Sequence, residues 1–459
     1  MKTDTGDATV SRTAEAGVAG VNAPDQAGSG EDRTSLYAIY LLALLTAANV
    51  LSYADRYLFS IAMPSIKAEF GTSDSLLGLI GGPAFTISYI VFSSPLARLA
   101  DRWSRRKVLA ISIAVWSGAT AVCGVATGMV QMALGRVFVG IGEAGAMPAS
   151  QSIVSQFFGP RRRATALGIL STGPYFGLIV GFAGGGIVIS QWGWRAAFLA
   201  LGLVGIPLAL LMLFTGPRRR PAATDAPAGP PAKSTLESLR ACWSIPSLRL
   251  LAIGTGVFNI FGYAASIWFP AFLMRSHAMT AAEAGFWMGV CSTIGGVLGA
   301  TASGAIVDSL SRRDVRWQLR VPALGFMLSF PLQLVVLSLP AAAVVALAGV
   351  TVPVIGLVMV ISSFLGSLWM GPSFAAVSRI VAPAYRAQAT ALLIVIINVL
   401  GSTMGPLIAG FISDGLTARF AHEALRYSLL SMSVLSLAGG IIFWFASRHY
   451  ANDVAAARM

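Results

Sequence analysis

SYADRYLFSIAMP, residues 52–64, sits inside an apolar run that begins at Leu36, yet it places Asp55 and Arg56 side by side. A charge at the centre of a membrane-spanning helix costs ~2.5 kcal/mol or more on insertion scales. Neighbouring residues point roughly 100° apart on a helix, so these two cannot simply neutralise each other. Each needs a partner on another element, or a watery cavity.

The surrounding composition shows that the run does belong in a membrane. Of 459 residues, 56% are hydrophobic and 11% are charged, against about a quarter charged in soluble chains. Twelve apolar stretches are long enough to cross the ~30 Å hydrocarbon core. They cover 36–64, 75–97, 107–127, 130–158, 163–190, 195–215, 248–274, 284–307, 319–339, 347–381, 387–414 and 423–447. Between the sixth and seventh lies a Pro/Ala/Gly-rich linker that opens with Arg218 to Arg220.

The net charge of +13 does not describe a nucleic-acid surface. Basic residues cluster in short connections between apolar runs: Arg102 to Lys107, Arg161 to Arg163, Arg218 to Arg220, and Arg312 to Arg316. The intervening connections carry only scattered cations such as Lys67, Arg195, Arg275 and Arg419. By the positive-inside rule, both termini and the linker face the cytoplasm. Residues 1–33 lack an apolar signal-peptide core and read as a disordered cytoplasmic tail. Cys123, Cys242 and Cys291 lie far apart, with no metal-ligand spacing.

Two motifs occur twice in the same order. ARLADRWSRR (97–106) is echoed by GAIVDSLSRR (304–313), and RRRATALGIL (161–170) by RAQATALLIV (386–395). This argues for duplicated halves, with a site at their interface. The first motif reads as a latch, in which Asp101 and Asp308 meet the arginines Arg102, Arg105, Arg106, Arg312 and Arg313 in charge-assisted pairs. The plainer alternative is that these arginines only set topology. The doubled motif resembles the cytoplasmic signature of the major facilitator superfamily, with Ala97 and Ser104 in place of its two glycines and Gly304 retained.

In the fourth span, GRVFVGIGEAGAMP carries Arg136 and Glu143 seven residues apart, on roughly one helical face. They read either as a structural ion pair or as a buried carboxylate whose proton affinity depends on a facing arginine. Glu143 is the expected partner of Arg56, which leaves Asp55 free to bind a proton or follow substrate charge. NVLSYADRY followed by MPSIKAEFG, together with GIGEA and PAYRAQATAL (383–392), resembles the Spinster family. That resemblance implies lysolipid or sphingoid-phosphate export and assigns a protonation switch to Asp55, Arg56 and Glu143. Related first helices in hexuronate and organic-acid symporters keep a small organic anion open as the substrate.

In the second half, Asn259, Tyr263, Ser266, Trp268, Asn398 and Ser402 offer polar and aromatic groups on an apolar wall, suited to an amphiphile or to helix–helix bonding. His277, His422 and His449 fall near span ends, so any coupling relies on carboxylates. No P-loop appears, and no cofactor, metal or catalytic constellation is indicated.

The expectation is therefore an all-α membrane protein of twelve transmembrane helices in two pseudo-symmetric six-helix bundles, the major facilitator fold. It divides into a tail (1–33), a first bundle (34–215), a linker (216–247), a second bundle (248–447) and a tail (448–459). The expected activity is proton-coupled transport rather than enzymatic, by a monomer in a bacterial inner membrane. Its expected partners are protons, membrane lipid and a lipid or small-molecule substrate, with no nucleic acid.

Overall fold

In lipid an apolar run must satisfy its own backbone hydrogen bonds, and a helix does so within one segment. The computed structural model describes residues 36–215, 235–347 and 350–457, and these are helical nearly throughout. The expected tail 1–33 and the linker up to residue 234, including Arg218 to Arg220, lie outside the described residues. So does the side chain of Asp101.

The first half contains α1 (Leu36–Phe70), α2 (74–102), α3 (Arg105–Gly124), α4 (129–157), α5 (160–192) and α6 (194–214). Gly193, at φ 80°, turns the chain between α5 and α6; a left-handed backbone there favours glycine. The second half contains α7 (Pro246–Ser276), α8 (281–311), α9 (Trp317–Ser338), α10 (354–380), α11 (386–420) and α12 (424–456). Among the described residues, nine continuous helical stretches are long and apolar enough to cross a membrane. Two of these, 162–214 and 383–456, each fold back on themselves. The α4 segment adds a further pass, and the whole is consistent with the expected twelve.

The structure differs from expectation in three places. The tenth span does not begin at 347: Val344–Leu347 and Val350–Pro353 pair as an antiparallel hairpin, β1 and β2. Its alternating valines and threonine favour a strand, and Pro353 precedes the helix that follows. The linker likewise contains a helix, Thr235–Ser244, whose Cys242 is buried. The last helix continues past 447 to Ala456.

The packing of the core sets the shape of the molecule. One apolar cluster is shared by both halves: it joins Phe59, Phe182 and Phe198 to Trp268, Phe272 and Leu425. A second cluster belongs to the first half alone, around Leu45, Leu109 and Trp116. A third belongs to the second half alone, around Leu251, Phe326 and Phe443. The halves are thus cemented at the Phe70/Ser276 end, which is called the outer end after the orientation expected from the sequence. At the other end, which carries Arg105, Arg106, Arg312 and Arg313, they have separate cores.

Close approach at the outer end depends on glycine. A Cβ on Gly285 in α8 would strike the Phe182 carbonyl in α5, and one on Gly410 in α11 would strike the Asp74 carbonyl in α2. These four helices share another feature. Each contains a π-helical turn: Ile80–Ala84, Val180–Gly184, Cys291–Gly295 and Ile397–Met404. The matched placement in α2/α8 and α5/α11 gives the two halves the same internal defect, of the kind that recurs at functional sites.

Candidate functional site

Asp55 and Arg56 lie at the middle of α1, and Arg136 and Glu143 at the middle of α4. The structure joins them as two crossed ion pairs. Arg56 donates from Nε (3.0 Å) and Nη2 (2.6 Å) to Oε2 of Glu143, which also accepts from Ser52 Oγ at 2.8 Å. Asp55 is not free, contrary to the reading of the sequence. Its Oδ2 pairs with Arg136 Nη1, and its Oδ1 accepts from Thr120 Oγ1 of α3 at 2.6 Å.

The reason lies in reach along the helix axes. Seven residues separate Arg136 and Glu143 by ~10 Å of helical rise, too far for a direct pair. They therefore face different residues of α1, and the 100° offset between Asp55 and Arg56 presents one to each. Asp55 turns toward α3, and Arg56 turns toward the space between the halves.

The two pairs differ in wetness. Arg136 and Asp55 have side-chain exposures of 2% and 1%. Glu143 is sealed at 0%, whereas Arg56 keeps 29%. The Arg56 guanidinium stands over the rings of Tyr53 (4.8 Å), Phe85 (4.6 Å) and Tyr89 (5.4 Å). Phe85 also faces the Arg136 guanidinium at 5.3 Å, so one ring of α2 buffers both cations. Tyr57 of α1 and Tyr263 of α7 are electrostatic neighbours of Arg56 from the two halves. Among the described residues, Glu143 Oε1 is buried with no hydrogen-bond partner. It is where a proton can add without displacing an existing bond.

The second-half candidates do not form one wall. Tyr263 is half-buried toward the charged site. Trp268 is not a cavity residue: it is fully buried, and its Nε1 donates to Pro406 O at 2.9 Å, pinning α7 to α11. Asn259 and Asn398 donate to carbonyls of their own helices, Thr255 O and Ile394 O. The Ser266 carbonyl accepts from Ser60 across the halves, and Ser402 Oγ bonds Thr86 Oγ1 of α2 at 2.7 Å. Thr120, Ser52 and Phe85 went unnoticed in the sequence because hydroxyl and aromatic residues are common in apolar helices.

At the arginine-rich end Arg102 is exposed and Arg105 and Arg106 are half-buried. Asp308, Arg312 and Arg313 are exposed, and among the described residues no ion pair joins them. The carboxylate that pairs nearby is Asp314, with Arg320 at 3.1 Å. The second copy of the expected latch is thus unlatched in this shape. His277 lies in the connection between α7 and α8; its burial, with Arg426 nearby, holds its imidazole below the ordinary value.

Residues 45–365 match the model of the Major Facilitator Superfamily. The chain is 34% identical over 439 residues to an MFS-type efflux pump of Mycolicibacterium smegmatis, covering 94% of this chain and 96% of that one. It is 28% identical over 437 residues to the human protein spinster homolog 1, covering 88% and 79%. Its structure resembles the crystal structure of a bacterial homologue of the human lysosomal transporter Spinster in an inward-facing, unoccupied conformation. That match has TM-score 0.79 at 24% identity and covers 92% of this chain and 99% of the other.

Proposed function

Because this chain belongs to the Major Facilitator Superfamily, a family of multi-pass membrane transporters and not of enzymes, we propose that it is a proton-coupled carrier of an amphiphilic anion. The substrate is of the lysolipid or sphingoid-phosphate kind, and transport runs by alternating access. The carrier acts as a monomer in a bacterial inner membrane, with both termini and the open, arginine-rich end toward the cytoplasm. The two halves, 34–215 and 248–447, rock against each other.

One observation carries this reading: the Arg56–Glu143 pair is sealed on its anionic side and open on its cationic side. A proton on Glu143 Oε1 removes the charge that holds Arg56. The guanidinium, already lodged among Tyr53, Phe85 and Tyr89, then takes an anionic head group in place of the carboxylate. The Glu143 carboxylate and the anion thus compete for one arginine, and a proton on Glu143 decides the competition in favour of the anion. Competition of this kind couples two ligands when each binds one conformation better than the other. The dry Asp55–Arg136 pair anchors α1 on α4 behind the switch.

The test is proton flux into proteoliposomes holding a pH-sensitive dye, on addition of a lysolipid phosphate or of a small organic acid. Flux evoked by the lipid is the expected result. Flux evoked by the acid alone would keep the coupling and replace the substrate with a small organic anion. Flux with neither would remove the proposal.

Arg56 itself supplies a second expectation. Lysine keeps the charge but loses the two-pronged donation to Oε2 and most of the stacking on Phe85. Lipid-evoked flux is expected to fall roughly tenfold in Arg56→Lys, about the factor that 1.4 kcal/mol represents. In Arg56→Ala it is expected to vanish. Equal loss in both would assign the function to guanidinium geometry rather than to charge.

A further inference from the structure

The cations that looked scattered in the sequence, Lys67 and Arg275, meet at the outer end on a residue that drew no attention there. Asp74 opens α2 and is 1% exposed. Its Oδ1 accepts from Lys67 Nζ of α1 at 2.7 Å and from Arg275 Nη2 of α7 at 2.9 Å. Its Oδ2 accepts from Arg275 Nη1 at 2.8 Å and from Ser413 Oγ of α11 at 2.7 Å. Three of these four bonds cross from one half to the other.

The traffic runs the other way as well. Asp414 of α11 accepts from the backbone N–H groups of Asp74 (2.9 Å) and Ser75 (2.8 Å). The first N–H groups of a helix have no partner within it and favour negative charge. The start of α2 is therefore capped by a carboxylate from the opposite half. Two carboxylates and two cations balance to zero net charge. The opposite flank, where α5 meets α8, is held by glycine contacts and by the Ala282 N–H to Ser190 Oγ bond at 3.0 Å.

We propose that Asp74 is the hub of an outer latch, and that its separation from Arg275, Ser413 and Asp414 is the step that opens the outer end. This rests on the alternating-access reading above. A buried ion pair suits a reversible latch, because the cost of dehydrating the charges offsets much of their attraction. When the halves part, water replaces the lost bonds. Removing one partner is different: the remaining charge is stranded while the end is closed and hydrated when it opens, so the open state gains.

The experiment reads conformation and does not depend on any substrate. Spin labels are placed at Thr127→Cys, in the outer α3–α4 connection, and at Ala418→Cys, on the outer end of α11; the three native cysteines are buried. Pulsed-dipolar distances are then compared between the wild-type background and single variants in lipid nanodiscs. Arg275→Gln and Asp74→Asn are each expected to raise the ratio of the long-distance population to the short one by roughly tenfold, as 1.4 kcal/mol would.

Lys67→Gln supplies the control. It takes an equal charge from the same carboxylate, but within one half, so its distance distribution is expected to stay near that of the wild type. Arg275, at 17% side-chain exposure, is the safer variant should Asp74→Asn fail to fold. Wild-type distances in Arg275→Gln would overturn the latch. So would a Lys67→Gln shift as large as that of Arg275→Gln, which would mean loosened packing instead. Proton flux in the unlabelled chain tests the transport reading separately, so a failed latch and a failed function give different results.

Discussion

Arg136→Ala is expected to destabilise the protein by about 3–5 kcal/mol, the usual cost of stripping one partner from a buried ion pair. Both side chains are almost wholly inaccessible, so water cannot take the place of the guanidinium. Asp55 would keep only the Thr120 hydroxyl, and the space over Phe59 and Phe85 would be emptied. Thermal unfolding followed by intrinsic fluorescence in detergent reads the loss. The double variant Asp55→Val/Arg136→Met nearly keeps the volume and removes both charges, and it is expected to recover most of the lost stability. Recovery with transport abolished would show that the pair is kept for function. A double variant as unstable as the single one would mean that packing, and not charge, is what Arg136 supplies.

That pairing marks the limit of what could be read in the sequence. Depth was legible: a charge in the middle of an apolar run stands out whatever the fold, so Asp55, Arg56, Arg136 and Glu143 identify themselves. Sign made Arg56 with Glu143 plausible. What the linear pattern lacks is direction around the helix combined with reach along it, and so Asp55 looked unattached. Only the folded arrangement brings Thr120 of α3 to its carboxylate.

Trp268 fails in the opposite sense. Its type suits a cavity wall, but its indole N–H finds the Pro406 carbonyl, and a tryptophan with a buried donor must find some such partner. The hairpin at 344–353 was lost because a run of valines is equally apolar as helix and as strand. Asp74 was passed over because a carboxylate just past a Gly-Thr-Ser turn looks like an ordinary exposed helix start. Its partners in the other half, Arg275, Ser413 and Asp414, are hundreds of residues away, and no local pattern announces them.

Glu143→Gln is the decisive change for the proposed coupling, and its expected signature is the reverse of that of Arg136→Ala. Glutamine is isosteric, its side-chain carbonyl can still accept from Ser52 or Arg56, and it leaves unpaired a cation that is 29% exposed. A cation with access to water and three flanking rings tolerates this, so the stability loss is expected to be about 1 kcal/mol, at the upper end for a partly solvated pair. Transport should change in kind. With no group to take up a proton at Oε1, lipid-evoked proton flux is expected to vanish. Binding of the anionic head group should persist or tighten, since Arg56 no longer has a competing carboxylate. Equilibrium binding across pH separates the two effects: wild-type affinity should vary with pH as Glu143 titrates, and the variant's should be flat. A Glu143→Gln protein that still moves protons with the lipid would place the coupling elsewhere. Asp55 is then the remaining carboxylate of the site, and its seal against water would have to open during the cycle.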